Sequence, residues 1–420
     1  MIKRDFYLSQ LLNSRGNHMI KVVTGVRRCG KSYLLFNLFK DHLLSEGVDE
    51  SHIIEVDLEN RRNKDLRDPD ALLRHIDGLM VDKSMYYILL DEVQMVSEFE
   101  DVLNSYLSVE NADVYVTGSN ARFLSKDVIT EFRGRGHEIR IHPLGFSEFL
   151  QTKSSRVSHD DLLREYMTFG GLPQVVLEPD ESMKEAYLQQ VMEHTYLRDI
   201  KQRNGISDDH DLEELVNTIA SSIGGLTNPL RIQNTFVSEK GSKISANTVK
   251  KYLDCLEDAF LIERSVRYDI KGRRYIDTPY KYYFEDLGLR NARLGFRQTE
   301  FTHLMENLLY NEMRRLGWTV DVGQIVVERK NAENKRVRSA LEVDFVCNKG
   351  YRRVYVQSAY RISDGDKMQQ ETLSLRKIQD GFQRVVIVGD ALQPTYMNND
   401  GLLIVSLWDF LQNPTIFYDN

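Results

Sequence analysis

A chain of 420 residues exceeds what one hydrophobic core usually holds and predicts roughly two to four domains. Its composition, 41% hydrophobic and 28% charged, is that of a globular protein, and no apolar run approaches the roughly 20 residues of a membrane helix, so a cytoplasmic protein without a membrane partner is expected. The net charge of -8 excludes a polyanion-coating surface, which leaves local basic patches as the only route to nucleic acid. Cys29, Cys255 and Cys347 lie far apart without paired spacing, against both a disulfide framework and a zinc site.

Over the first 150 residues, short apolar runs alternate with helical patterns, as a parallel sheet flanked by helices requires. Strands are predicted at residues 19–25, 52–58, 86–92, 113–119 and 137–144. The first runs directly into "GVRRCGKS", which fits the phosphate-loop pattern G-x-x-x-x-G-K-[ST] from Gly25 to Ser32. Gly25 and Gly30 let the backbone curl so that the N–H groups of Val26, Arg27, Arg28, Cys29 and their neighbours through Tyr33 point at phosphate oxygens, while the following helix presents its positive end. Lys31 reaches the β- and γ-phosphates of ATP, and the Ser32 hydroxyl is a ligand for Mg2+. In "YILLDE" four apolar residues precede Asp91 and Glu92, so both acids fall where a buried strand surfaces. Asp91 is the expected Mg2+ residue and Glu92 the base that orients the attacking water. Ser119 and Asn120 end the next strand and are candidates for sensing the γ-phosphate; ordinary turn chemistry accounts for them equally well. Arg135, and after it Arg133, are candidates for an arginine that meets transition-state charge, inserted from a neighbouring subunit, with a solvated loop as the competing reading.

The runs "VVTGVRRCGKSYLL", "YILLDEVQ", "VYVTGSNA", "GRGHEIRIHPLGFSEFL" and "YMTFGGLPQVV" resemble the AAA+-superfamily ATPases of bacteria and archaea that carry a C-terminal domain of unknown function, which are similar to archaeal STAND-like ATPases. The resemblance covers nearly the whole chain. It implies an α/β P-loop ATPase core, a helical lid, a winged helix and a terminal domain related to restriction-type nucleases, and it supplies no substrate. The corresponding division is core 1–150, lid 151–205, winged helix 206–290 and terminal domain 291–420.

The residues beyond the core agree with that division. A polar connector, "QTKSSRVSHDD", is followed by the helical "LLREYMTFGG" and "ESMKEAYLQQVMEHTYLRDIKQRN", the expected lid. From Asp211 to Asp286 three helices and two short strands are expected, with Ser245 capping the third helix and "DIKGRRYI" turning the wing. Arg264, Arg267, Lys271, Arg273, Arg274 and Lys281 outnumber Asp269 and Asp277 around the wing, and Lys250 and Lys251 lie on the recognition helix, so DNA is a candidate partner. The same helix carries Asp254, Glu257 and Asp258, and a protein-docking role stays open.

In the last segment, "TEFTHLMENLLYNEMRRLGW" reads as a helix carrying Glu306, and "LEVDFVCNKGYRRVYVQSAY" as two strands around a turn. This resembles the restriction-endonuclease-like fold, and the resemblance implies a Mg2+ site of Glu306, Asp344 and Gln357. Strand alternation puts Glu342 on the face of Asp344. The lysine expected two residues beyond Gln357 is replaced by Ala359, with Lys330 or Lys367 as substitutes, and this predicts a degenerate domain that binds rather than cuts. The expected function is an ATP-hydrolysing, homo-oligomeric ATPase that moves its C-terminal modules and associates with DNA. An ATP-controlled nuclease and a signalling switch without nucleic acid are the alternatives.

Overall fold

A computed structural model describes residues 2–118, 132, 134–206, 210–297, 300–330, 336–361 and 365–417. The chain divides into two compact units, Met1–Pro143 with Asp258–Phe260, and Leu144–Glu257 with Leu261–Asn420.

The first unit is built on a five-stranded sheet of β1 (Ile20–Thr24), β2 (Ile53–Asp57), β3 (Tyr86–Asp91), β4 (Ala112–Thr117) and β5 (Gly136–Arg140) in the order β2-β3-β4-β1-β5. Every pairing is parallel. β1 and β3 are buried along their whole length, which is why they read as apolar runs and not as alternating ones, broken in β1 at one position. Lys21 interrupts β1 and forms a buried ion pair with Asp113 of β4, to which the Tyr115 hydroxyl also donates, at 2.9 Å. After β1 the chain enters one helical run made of Lys31–Tyr33, a π-wound stretch Leu34–Phe39 and Lys40–Ser45.

The second unit carries an eight-stranded mixed sheet. Its strands are β6 (Ile262–Asp269), β7 (Arg274–Phe284), β8 (Thr319–Lys330), β9 (Arg336–Lys349), β10 (Arg352–Ala359), β11 (Gln383–Val388), β12 (Tyr396–Met397) and β13 (Leu403–Ser406), in the order β12-β13-β11-β10-β9-β8-β6-β7. The expected wing strands, β6 and β7, are therefore long and continue the sheet of the terminal segment, because β6 pairs in parallel with β8. The expected boundaries after 205 and 290 both fall inside this one unit.

Helices from the expected lid are tied to the same unit. Asp286 caps the helix Leu287–Arg293 by accepting the Leu289 amide at 3.0 Å and also accepts the Gly171 amide at 2.7 Å. Gly170 has a φ of +73°, and a Cβ there would stand 2.3 Å from the Asp286 carboxylate, so the "GG" turn exists to receive that acid. Asn291 donates to the Met167 and Thr168 carbonyls at the end of the helix His159–Phe169. No described helix is long and apolar enough to cross a membrane.

Candidate nucleotide site and an acidic cluster

Loop 25–30 leaves the carboxyl end of β1 where its neighbours β4 and β5 lie on opposite sides, the position at which open α/β sheets bind ligands. Gly25 has a φ of +138°, and a Cβ on it would meet the Ile141 carbonyl oxygen at 2.0 Å. Gly30 starts the helical run in the left-handed conformation. The Lys31 ammonium is buried and donates to the Gly25 and Val26 carbonyls at 3.1 and 3.2 Å, folded back over the loop. Arg28 also takes a positive φ, of 64°. Behind the loop, buried Arg4 donates to the Cys29 carbonyl and to the His142 carbonyl, both at 2.8 Å. This clamp comes from the segment preceding the helix Asp5–Asn13, and no pattern in the sequence marks it.

The Ser32 hydroxyl donates to Asp91 Oδ2 at 2.8 Å, joining the helix start to the end of β3. Thr117, the last residue of β4, lies between β1 and β3 in the sheet. Its hydroxyl donates to Asp91 Oδ1 and accepts the Glu92 amide, the latter at 2.9 Å. Burial pushes the Asp91 carboxyl above its ordinary value, against the donations of Thr117 and Ser32. Glu92 is held with a positive φ of 52°, and its carboxylate receives the Gln94 side-chain amide. A non-glycine residue in this conformation stores strain of the kind that clusters at working sites. Thr117 escaped sequence reasoning, since a threonine ending a buried strand carries no motif.

Ser32, Lys31, Asp91 and Glu92 thus gather at one sheet edge; Arg135 does not. Its carbonyl accepts the Ile20 amide at the amino end of β1, so it sits at the opposite edge of the sheet, about 15 Å away along a five-residue strand, and its side chain is exposed. Ser119, Asn120 and Arg133 lie outside the described residues.

In the second unit, Glu306, Glu342 and Asp344 come together around an ammonium group. Lys281 of β7 donates to Glu306 Oε1 at 2.8 Å and to Glu342 Oε1 at 2.6 Å. The Tyr283 hydroxyl donates to Glu306 Oε1 at 2.7 Å. Asp344 Oδ2 accepts the Ser358 amide at 2.8 Å, and Gln357 Oε1 takes the Asp344 amide and the Ser374 hydroxyl at 3.4 Å each. Burial, and after it Glu306, raises the Asp344 carboxyl well above the ordinary carboxylate range. Burial alone would lower the Lys281 ammonium, but Glu306, Glu342 and Asp344 together raise it. Ala359 belongs to an apolar core that includes Tyr355, Leu375 and Val386, which is why an alanine and not a lysine stands there. The side chains of Lys330 and Lys367 are not among those described.

An AAA domain matches residues 17–150, and a domain of unknown function, DUF8612, matches residues 160–300. An uncharacterized protein of Haemophilus influenzae is 35% identical over 416 residues, 98% of each chain. The uncharacterized protein MJ1544 of Methanocaldococcus jannaschii is 28% identical over 392 residues, 90% of this chain and 82% of that one. Among solved structures, the Walker-type ATPase PABY2304 of Pyrococcus abyssi is similar with a TM-score of 0.50 at 16% identity, covering 70% of this chain and 96% of that one, a likeness of fold. The chain therefore belongs to one family with the Haemophilus influenzae protein, along whose length it runs, and its residues 17–150 form an AAA domain built on the parallel sheet.

Proposed function

We propose that this protein binds ATP in the cradle from Gly25 to Tyr33 and hydrolyses it at the edge formed by β1, β3 and β4. The observation that carries the reading is the 2.8 Å bond from the Ser32 hydroxyl to Asp91, which joins a loop closed to side chains at Gly25 to a buried carboxylate two strands away. The donor chemistry fits Mg2+, which is held by few protein oxygens beside phosphates and water; Ser32 and Asp91 would hold it. When bound with ATP, that ion supplies charge neutralisation at the β- and γ-phosphates. The Lys31 ammonium leaves the loop carbonyls for the phosphates, and Glu92 takes the proton of the attacking water while Thr117 fixes the backbone at Glu92. Asn120 with Ser119, and an arginine finger from Arg135 or Arg133 of an adjacent copy in a homo-oligomer, complete the reading. Lys31→Ala is expected to abolish ATP binding. Glu92→Gln is expected to retain ATP while losing about 10²–10⁴-fold in hydrolysis. Nucleotide binding and phosphate release on both variants check this, and ordinary turnover by either one contradicts it.

A winged helix at 206–290 and DNA as its partner form a second reading, together with module movement driven by the ATP cycle. In its favour, the helices His210–Ser221, Pro229–Lys240 and Ala246–Asp258 precede β6 and β7, Thr227 bridges to Tyr280 of β7, and Ser245 accepts the Thr248 amide at 3.1 Å as a cap. Lys250, Lys251, Lys271, Arg273 and Arg274 are exposed, whereas Lys281 is buried in its ion pairs and unavailable to phosphate. Duplex affinity is expected to fall steeply with salt. Undetectable binding at low salt favours a protein-docking role instead. A restriction-endonuclease-like terminal domain that binds without cutting, and a cytoplasmic location, belong to the same reading.

A further inference from the structure

The arrangement implied for the terminal domain calls for a divalent cation among Glu306, Asp344 and Gln357, and the residues present do not fit one. The Lys281 side chain is 3% exposed, and its ammonium bonds both Glu306 and Glu342. Glu306 Oε1 is further occupied by the Tyr283 hydroxyl. Asp344 Oδ2 accepts the Ser358 amide, and Gln357 Oε1 accepts the Asp344 amide and the Ser374 hydroxyl. A hydrated Mg2+ needs carboxylate oxygens for near-octahedral geometry, and those of Glu306 and Glu342 that face the cluster are already taken by the ammonium. Among the described residues no group of three or more His, Cys, Asp or Glu side chains is placed to hold a metal ion.

We propose that the Lys281 ammonium is the resident cation of this cluster and stands in place of a divalent metal ion. It bonds both Glu306 and Glu342, offsetting one of their two charges, and so ties β7 to β9 and to the helix Phe301–Arg315 that carries Glu306. Carboxylates gathered this closely repel one another and need a counter-charge; a lysine on a neighbouring strand provides it permanently, independent of metal supply. Lysine suits the role because its compact ammonium carries three donors that reach separate carboxylates. The proposal is independent of the ATPase reading, since no residue of the nucleotide site takes part.

Mn2+ binding to the full-length, nucleotide-free protein tests it, counted by electron paramagnetic resonance in wild type, Glu306→Gln, Lys281→Arg and Lys281→Met. Wild type and Glu306→Gln are expected to bind the same number of Mn2+ ions, and Lys281→Arg no more than wild type. Lys281→Met is expected to gain one equivalent and to show a melting temperature that rises with Mn2+, an effect absent from wild type. Loss of a bound ion on Glu306→Gln would overturn the proposal, because a metal would then share the cluster with Lys281. A folded Lys281→Met that gains no Mn2+ overturns it equally. So does Mg2+-dependent cutting of duplex DNA that Lys281→Met abolishes, since the lysine would then be a partner in a reaction. Should Lys281→Met fail to fold, the comparison of wild type with Glu306→Gln decides alone.

Discussion

Thr117 is the residue on which the two acids of the nucleotide site converge. It donates to Asp91 and accepts the Glu92 amide, so one hydroxyl sets both the carboxylate that faces Ser32 and the backbone of the strained Glu92. Thr117→Ala leaves two buried polar groups without that partner, at a cost of about 1–3 kcal/mol. The expected outcome is a fall of about 10–100-fold in kcat with little change in KM for ATP, restored by Thr117→Ser, which keeps the hydroxyl. Steady-state ATPase assays on the two variants check this; equal turnover of Thr117→Ala and wild type removes Thr117 from the positioning role. Gly25, Gly30, Lys31, Ser32, Asp91 and Glu92 were legible as candidates because a phosphate loop demands particular residue types at fixed spacing. Thr117 and Arg4 were not, since each acts through partners supplied by distant segments, and Arg4 reaches residues 29 and 142.

At the scale of elements, the bond between the "GG" turn and Asp286 shows how a buried acid makes two segments one structure. Burial raises the Asp286 carboxyl to about 6 from an ordinary 3.8 despite the amides of Gly171 and Leu289. The folded form therefore holds this proton more tightly than the unfolded chain. Its contribution to stability is full below pH ~4, where both forms are protonated, and is lost as pH rises through about 6, amounting to about 3 kcal/mol. The unfolding free energy of wild type relative to Asp286→Asn is expected to decline as pH increases from 4 to 6, measured by denaturant titration at each pH; parallel curves contradict the shift. Strands β1, β3 and β4 were foreseeable because parallel strands buried on both faces leave apolar runs. The acidic cluster was foreseeable only in part. Asp321 pairs with Val346 and Gly323 with Val343, so the register of β8 and β9 shifts at Asp344, a bulge that simple alternation from Glu342 does not contain.

For the molecule as a whole, the position of Arg135 decides what kind of ATPase this can be. Because it lies at the amino edge of the sheet while Lys31 and Asp91 lie at the carboxyl edge, it cannot serve the site of its own subunit within this fold. On the proposed reading of an arginine shared between copies, mixing Arg135→Ala with Lys31→Ala protein is expected to restore hydrolysis, since a mixed assembly would contain sites with an intact loop and an intact arginine. Absence of rescue at every mixing ratio rules out a shared site. The sequence by itself determined the phosphate loop, the acids that follow a buried strand and the parallel core, because each rests on local chemistry between residues near in the chain. Only the tertiary structure decided that Lys281 joins Glu306, Glu342 and Asp344 in their cluster and that β6 and β7 extend the terminal sheet. Those outcomes depend on strand neighbours and burial, and residues 25 to 63 positions apart in sequence leave no periodic trace of the contact that binds them.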